Sequence, residues 1–122
     1  CDCGDSVSEA KSLGCKYDTI AAAWLPPYCI DADLTAEFDL AGDGPGGRWH
    51  YWIDSNHTAE YSLEEVGMLA DRPGSFFWTT PRWHFMHCLF YWRKQQRAKF
   101  TGVVIERRYD TERHVKHCGE IF

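Results

Sequence analysis

Six cysteines in a chain of 122 residues restrict the fold more than any other feature. They are Cys1, Cys3, Cys15, Cys29, Cys88 and Cys118. An even count at this density is typical of oxidised pairs in a secreted or lumenal domain and is high for a cytosolic enzyme. Six cysteines allow fifteen full pairings, so the connectivity stays open here. We expect a small domain stabilised by disulfides.

Length and charge exclude several classes of protein. At 122 residues and 44% hydrophobic residues, the chain suits one core and not two. Its formal net charge of -5 has the wrong sign for a protein that binds the phosphate backbone, so we expect no nucleic acid partner. No stretch approaches the length of apolar sequence that spans a bilayer. We therefore expect any contact with a membrane to come through an anchor outside these residues.

A glycosylation signal predicts the same cellular compartment as the cysteine content does. Asn56-His57-Thr58 is an N-glycosylation sequon in a polar stretch that reads as a turn. Together the two features predict a location in the lumen of the secretory pathway or outside the cell.

Capping and breaking residues predict five helices. Ser6 begins a short helix that ends at Gly14, and Asp31 or Asp33 begins a second one, ended by the glycine-rich run 42–47. Ser62 begins a third, ended by 71–74. The fourth starts with Thr80 and Pro81 and runs to Phe100, before Gly102. Thr111 or Asp110 begins the last.

Extended structure is predicted at two places. Aromatic residues alternate with other residues over Arg48–Asp54, and Val103–Ile105 is β-branched. Trp24 to Tyr28 contains two prolines and must be extended or turned. The fold class expected from these signals is mainly α with a minor β component, in one small domain.

The string H-x-x-H-C occurs twice, as His84 to Cys88 and as His114 to Cys118. On a helix, residues i and i+3 lie on one face, so each string can direct two imidazoles to one point. Imidazole suits copper, zinc, iron and nickel. The sequence therefore predicts a metal site formed by His84, His87, His114 and His117, against the alternative that the spacings are a coincidence.

Other candidate ligands follow from the same segments. Cys88 and Cys118 would complete a zinc or copper site as thiolates, but in an oxidising compartment we favour disulfides, either to the Cys15 to Cys29 region or to each other. His50 is a further candidate ligand, although a half-buried histidine on a sheet is the simpler interpretation.

Two features of the long helix have a functional and an ordinary interpretation. Tyr91 lies four residues after His87 on the same face, so it either supports the metal ligands or is an ordinary core tyrosine. Arg93, Lys94 and Arg97 form a basic cluster that either meets an acidic substrate or is a solvated helix end.

The paired H-x-x-H-C motifs resemble those of the fungal UstYa-like family of secondary-metabolite pathways. Further segments resemble small proteins of that kind: Cys3 to Ser6, Trp24 to Pro27 with Cys29, Trp83-His84, and Tyr91 to Lys94 with Arg97. The resemblance implies that residues 1–122 are one lumenal, metal-binding domain of a longer and membrane-anchored precursor. After the first motif the chain reads Leu89-Phe90-Tyr91-Trp92-Arg93, where better-known members have Leu-Asp-type residues and a Leu-Arg pair.

The resemblance also implies a chemistry. Members are associated with copper-dependent oxidative cyclisation, hydroxylation and halogenation of peptides or small molecules. It implies His84, His87, His114 and His117 as the copper ligands, and it implies that a partner protein assists the activity. The alternative is a non-catalytic zinc- or copper-binding module of the secretory pathway. A third alternative is a secreted interaction protein in which the histidine pairs are incidental.

Overall fold

A computed structural model describes residues 1–122 and contains five α-helices and one small antiparallel sheet. The elements are α1 (Val7–Ser12), β1 (Lys16–Asp18), β2 (Ala23–Leu25), α2 (Ala32–Phe38), α3 (Leu63–Met68), α4 (Pro81–Thr101) and α5 (Glu112–Ile121). Short 3-10 turns lie at Pro27–Cys29, Pro45–Gly47 and Leu69–Asp71. The predicted fold class, mainly helical with a minor β component, is confirmed.

Side-chain caps explain where four of the helices begin. Ser6, Asp31, Ser62 and Thr111 each accept a hydrogen bond from a backbone N–H in the first turn of the helix that follows. At Ser62 the bond is reciprocal, because the Glu65 side chain accepts from the Ser62 N–H. The five predicted helices therefore all form close to their expected positions.

The long helix α4 has the predicted ends. Pro81 occupies its first position, where a missing N–H costs nothing. Gly102 ends it in the left-handed region, at φ 72°, where a side chain would be strained.

The two predicted strands do not form, and this corrects the sequence interpretation. Within Arg48–Asp54 only Trp52 makes bridges, one to Glu60 and one to Trp78. The alternating aromatic residues are buried by packing against other aromatic rings and not within a ladder: Trp49 stacks on Phe38 at 5.1 Å between ring centroids. Val103–Ile105 has no strand beside it, and the Val104 N–H donates to the Tyr28 carbonyl.

The sheet that does form is a hairpin that sequence patterns did not indicate. Tyr17 of β1 pairs with Trp24 of β2. The turn between them carries no Asn-Gly or Asp-Gly signal. It is fixed by the buried Asp18 carboxylate, which accepts from the Ala21 N–H at 3.1 Å and from the Thr35 hydroxyl at 2.6 Å.

The core packs around α4. Thirteen buried apolar residues form the main cluster, and α4 contributes Trp83, Phe90 and Tyr91 to it. Phe38 of α2 is fully buried and contacts the rings of Trp83 and Phe90. This packing fixes the face of α4 that carries His87.

All six cysteines are paired. The disulfides are Cys1–Cys29, Cys3–Cys15 and Cys88–Cys118. The expectation of a disulfide-stabilised domain is thus confirmed, and Cys88 and Cys118 are bonded to each other. No helix is long and apolar enough to cross a membrane.

Candidate metal centre

Helices α4 and α5 bring the two H-x-x-H-C strings together. The rings of His84 and His117 lie 6.3 Å apart between centroids, and those of His87 and His114 lie 5.4 Å apart. Each histidine of one string therefore faces a histidine of the other. The disulfide between Cys88 and Cys118 joins the helices beside these pairs.

His87 is the most constrained of the four. It is buried, its Nδ1 lies 2.5 Å from the Ile20 carbonyl oxygen, and its ring stacks on Trp83 at 5.0 Å. A carbonyl only accepts hydrogen bonds, so Nδ1 carries the proton and Nε2 keeps its lone pair. This is the arrangement in which a backbone carbonyl orients a metal-binding imidazole.

The other three histidines are more open. His114 is half-buried, and His84 and His117 are exposed. Burial lowers the pKa of His84, with a further contribution from the charge of His117, and burial lowers the pKa of His114 as well. Burial also lowers the pKa of His87, to about 4. His84, His87 and His114 are therefore neutral at neutral pH, which is the form that binds metal.

The histidine nitrogens are near one another but do not converge on one point. No three of them lie within 4.8 Å of each other, and the group that meets this distance is Cys88, His114 and Cys118. Cys118 Sγ lies 3.6 Å from His114 Nε2. In the disulfide state neither sulfur is a thiolate, so this group offers one imidazole and no thiolate ligand.

Two tyrosines contact the histidines. Tyr91 lies 5.0 Å from His87 and 5.6 Å from His114 between ring centroids, and Tyr109 lies 4.9 Å and 4.8 Å from the same two rings. The structure thus places Tyr91 against two of the predicted ligands. Tyr109 was not singled out by sequence reasoning, because it lies in a charged turn with no periodic pattern.

A buried polar network supports Tyr91. Its hydroxyl donates to Glu106, and Lys94 Nζ donates to the other oxygen of Glu106 at 3.2 Å and to the Cys29 carbonyl at 2.7 Å. Burial raises the pKa of Glu106 to about 7 and lowers that of Lys94. Buried charges of this kind persist only when their hydrogen bonds are satisfied.

The basic cluster predicted on α4 is neither a free patch nor a solvated helix end. Arg93 pairs with Glu37, Lys94 is buried against Glu106, and Arg97 donates to Asp31 at 2.7 Å. The sequence could not show this, because the three acidic partners come from distant segments. The cluster ties α4 to α2 and to the segment before α5.

His50 lies in a different environment from the four paired histidines. Its Nδ1 is 2.5 Å from Glu60 Oε1, and its ring stacks on Trp52 at 4.8 Å. No contact joins it to His84, His87 or the α5 histidines.

A cavity of about 710 Å³ opens next to His84. His84 and Trp83 line one part of it, together with Tyr109 and Arg108. Its apolar wall includes Tyr17, Trp24, Leu25, Val66 and Phe77. This volume is in the range of small-molecule binding sites.

Sequence reasoning missed Glu106 and Arg108 as part of this region. Both lie in the segment between α4 and α5, where single charged residues carry no spacing signal. Only the folding of that segment back onto α4 brings them to the histidines.

The chain is similar to two curated proteins of Diaporthe leptostromiformis, phomopsin biosynthesis cluster proteins B and B'. It is 31% identical to each over 119 residues, which cover 96% of this chain and 35% of the relative. The chain thus spans about a third of the length of these relatives. No family model and no solved structure matches. The similarity runs through nearly the whole chain, and it connects the chain to proteins of a biosynthetic cluster for a secondary metabolite.

Proposed function

We propose that this chain is a UstYa-like domain that binds copper through His84, His87, His114 and His117 and takes part in oxidative tailoring of a secondary metabolite. The observation that carries the proposal is that α4 and α5 pair the four histidines of the two H-x-x-H-C strings across one interface. The substrate is a peptide or a small molecule. The domain works in the lumen of the secretory pathway or outside the cell.

The donor set fits copper. Four imidazoles are nitrogen ligands of the kind that copper prefers. The Ile20 carbonyl holds His87 with one nitrogen free, and the disulfide beside it fixes the distance between the helices. When bound, copper would supply one-electron redox chemistry, which no side chain of this protein supplies alone.

The residues around the histidines have the remaining tasks. The cavity that reaches His84 would hold the substrate, with Trp24, Phe77 and Trp83 excluding water from its apolar part. Tyr91 and Tyr109 would hold the rings of His87 and His114 in place. The names of the two relatives support a role in a biosynthetic cluster. Oxidation as the type of reaction, and a partner protein that assists it, are further parts of this proposal.

The proposal is tested by copper titration of the parent and of four variants. His84→Ala, His87→Ala, His114→Ala and His117→Ala should each weaken copper binding tenfold or more while the disulfides remain intact. His50→Ala and His57→Ala are matched controls, because these histidines lie elsewhere, and should bind as the parent does. Equal copper affinity in all seven proteins would contradict the ligand assignment.

A second measurement separates a reactive centre from a closed one. An open copper site accepts an added ligand such as azide, which changes the electron paramagnetic resonance spectrum, whereas a closed site does not. We expect azide to bind. A site that binds copper but not azide would support a structural module.

The second candidate function is a zinc-binding structural module. It is favoured by the close approach of Cys88, His114 and Cys118, which would form a soft three-donor set if the disulfide were reduced. Counting thiols in protein from an oxidising host tests it. Four or fewer oxidised cysteines together with stoichiometric zinc would favour this candidate over the copper proposal.

A further inference from the structure

One basic residue in the cavity has no acidic partner. Arg108 is the only Lys or Arg among the residues that line the cavity, and it forms no ion pair, although Asp2, Asp5 and Glu106 line the same cavity. Its guanidinium lies 5.2 Å from the Tyr109 ring centroid. Glu106 is already bonded to Tyr91 and Lys94. Arg108 is exposed, and no side chain of the protein accepts a hydrogen bond from it.

Arg108 lies at the histidine end of the cavity. Its guanidinium lies against Tyr109, whose ring is 4.9 Å from that of His87 and 4.8 Å from that of His114 between centroids. Asp2 and Asp5 belong to the segment before α1, and neither forms an ion pair with Arg108. Arg108 is therefore the cationic side chain that an anionic group of a ligand would meet at this end of the cavity.

We propose that Arg108 binds a carboxylate of the ligand that fills this cavity, with the apolar body of the ligand against Trp24, Phe77 and Trp83. A guanidinium is suited to this task because its planar donors match both oxygens of a carboxylate. This inference about Arg108 depends on the proposed function in one respect, which is that the cavity is the substrate site. It requires no metal for binding.

Calorimetric titration with three probes of one shape tests the proposal. The probes are 3-phenylpropionate, 3-phenylpropanamide and 3-phenylpropylamine, and the protein is used as purified. We expect the acid to bind at least tenfold more tightly than the amide or the amine. Arg108→Gln should remove about tenfold or more of the affinity for the acid and leave the amide unchanged.

Arg107→Gln is the matched control, because Arg107 is exposed like Arg108 but does not line the cavity. It should bind the acid as the parent does, and Arg108→Lys should be intermediate. Preference for the amine or the amide, no binding of the acid, or equal losses in the two glutamine variants would each overturn the proposal. Copper affinity is measured separately, so loss of acid preference with intact copper binding refutes this inference and not the metal site.

A different feature concerns Asn56, the only asparagine in the chain. It is exposed on a turn held by Asp54, whose carboxylate accepts from the Thr58 N–H at 3.0 Å and from the Thr58 hydroxyl at 2.5 Å. His57, at φ 58°, stacks on Trp52 at 3.8 Å. The turn therefore presents Asn56 outward on a fixed support.

We infer that Asn56 carries an N-linked glycan. The donor class is a lipid diphosphate-linked oligosaccharide. The bond between sugar C1 and the diphosphate oxygen breaks, a bond from C1 to Asn56 Nδ2 forms, and the amide gives up one proton while the lipid diphosphate leaves. Pairing of all six cysteines supports passage through a compartment where this transfer occurs.

Expression through a yeast secretory pathway tests this inference. The secreted parent should carry a mass increase of hexose and N-acetylhexosamine units, and enzymatic removal of the glycan should leave Asp at position 56. Thr58→Ala should abolish the increase, and Thr58→Ser, which keeps the sequon, should retain it. A secreted parent protein with the unmodified mass would overturn the inference.

Discussion

Cys88 and Cys118 are bonded to each other, and each directly follows the second histidine of an H-x-x-H-C string. The fifth position of the duplicated motif is thus a covalent link between α4 and α5. This link explains why the cysteine recurs with the histidines, since it holds the two ligand-bearing helices together.

Replacing both Cys88 and Cys118 by Ser should weaken copper binding and lower stability. The bond closes a loop with a sequence separation of 30, so its loss should cost about 3 to 4 kcal/mol of unfolding free energy in the chain-entropy model. Urea denaturation and copper titration are the measurements.

The matched control is the double Ser variant of Cys3 and Cys15, which opens a shorter loop away from the histidines. It should lose stability but keep the copper affinity of the parent. Equal copper affinity in both double variants would show that the Cys88–Cys118 bond does not organise the site.

Lys94→Met should destabilise the protein by about 3 kcal/mol, because it leaves the buried Glu106 carboxyl and the Cys29 carbonyl without the group that donates to both. Arg93→Met, one position earlier, removes an exposed ion pair with Glu37 and should cost less than about 1 kcal/mol. Chemical denaturation of the two variants side by side checks this. Similar losses would mean that the buried pair contributes no more than the surface pair.

Glu106→Gln should change how stability depends on pH. Burial raises the pKa of Glu106 to about 7, from an ordinary value of 4.5. Between these values the unfolded chain ionises while the folded one keeps the proton, so the contribution of Glu106 to stability is fully present below pH 4.5 and decreases as pH rises toward 7.

The difference in unfolding free energy between the parent and Glu106→Gln should therefore fall with rising pH over this window, by on the order of 3 kcal/mol. His87 has the opposite trend because its pKa is lowered, but it is present in both proteins and cancels in the difference. Urea denaturation at several pH values gives the result. A difference that is constant with pH would contradict the raised pKa.

Tyr91→Phe should cost about 1 to 2 kcal/mol of stability, because Glu106 loses a buried hydrogen bond. Copper affinity should stay close to that of the parent, since the phenol contacts the histidines by its ring and not as a ligand. Thermal denaturation and copper titration separate the two effects. A tenfold loss of copper affinity would assign Tyr91 a direct role in binding.

Local signals in the sequence predicted the helices well. Ser62 with Glu65, and Pro81 with Gly102, act through bonds and backbone angles within a few residues, so their effect is visible in the chain itself. The expected strand at Arg48–Asp54 did not form, because aromatic alternation reports burial and says nothing about whether a partner strand is present. The hairpin between β1 and β2 was missed since Asp18 fixes its turn from a buried position.

In the candidate site, too, the sequence predicted the residues with a local spacing signal and missed those without one. The duplicated string identified the four histidines, because residues three apart on a helix lie on the same face. It could not identify Glu106, Arg108 or Tyr109, which reach the site only through the path of the segment between α4 and α5. Nor could spacing choose the disulfide pairing, which depends on the approach of the two helices.

Electron paramagnetic resonance of the protein loaded with one equivalent of copper(II) tests the central claim most directly. The account predicts a bound copper signal with hyperfine structure from several imidazole nitrogens, reduced in His87→Ala and His114→Ala, and no intense sulfur-to-copper absorption band. A signal without nitrogen hyperfine structure, or a strong thiolate band at stoichiometric copper, would contradict coordination by the paired histidines.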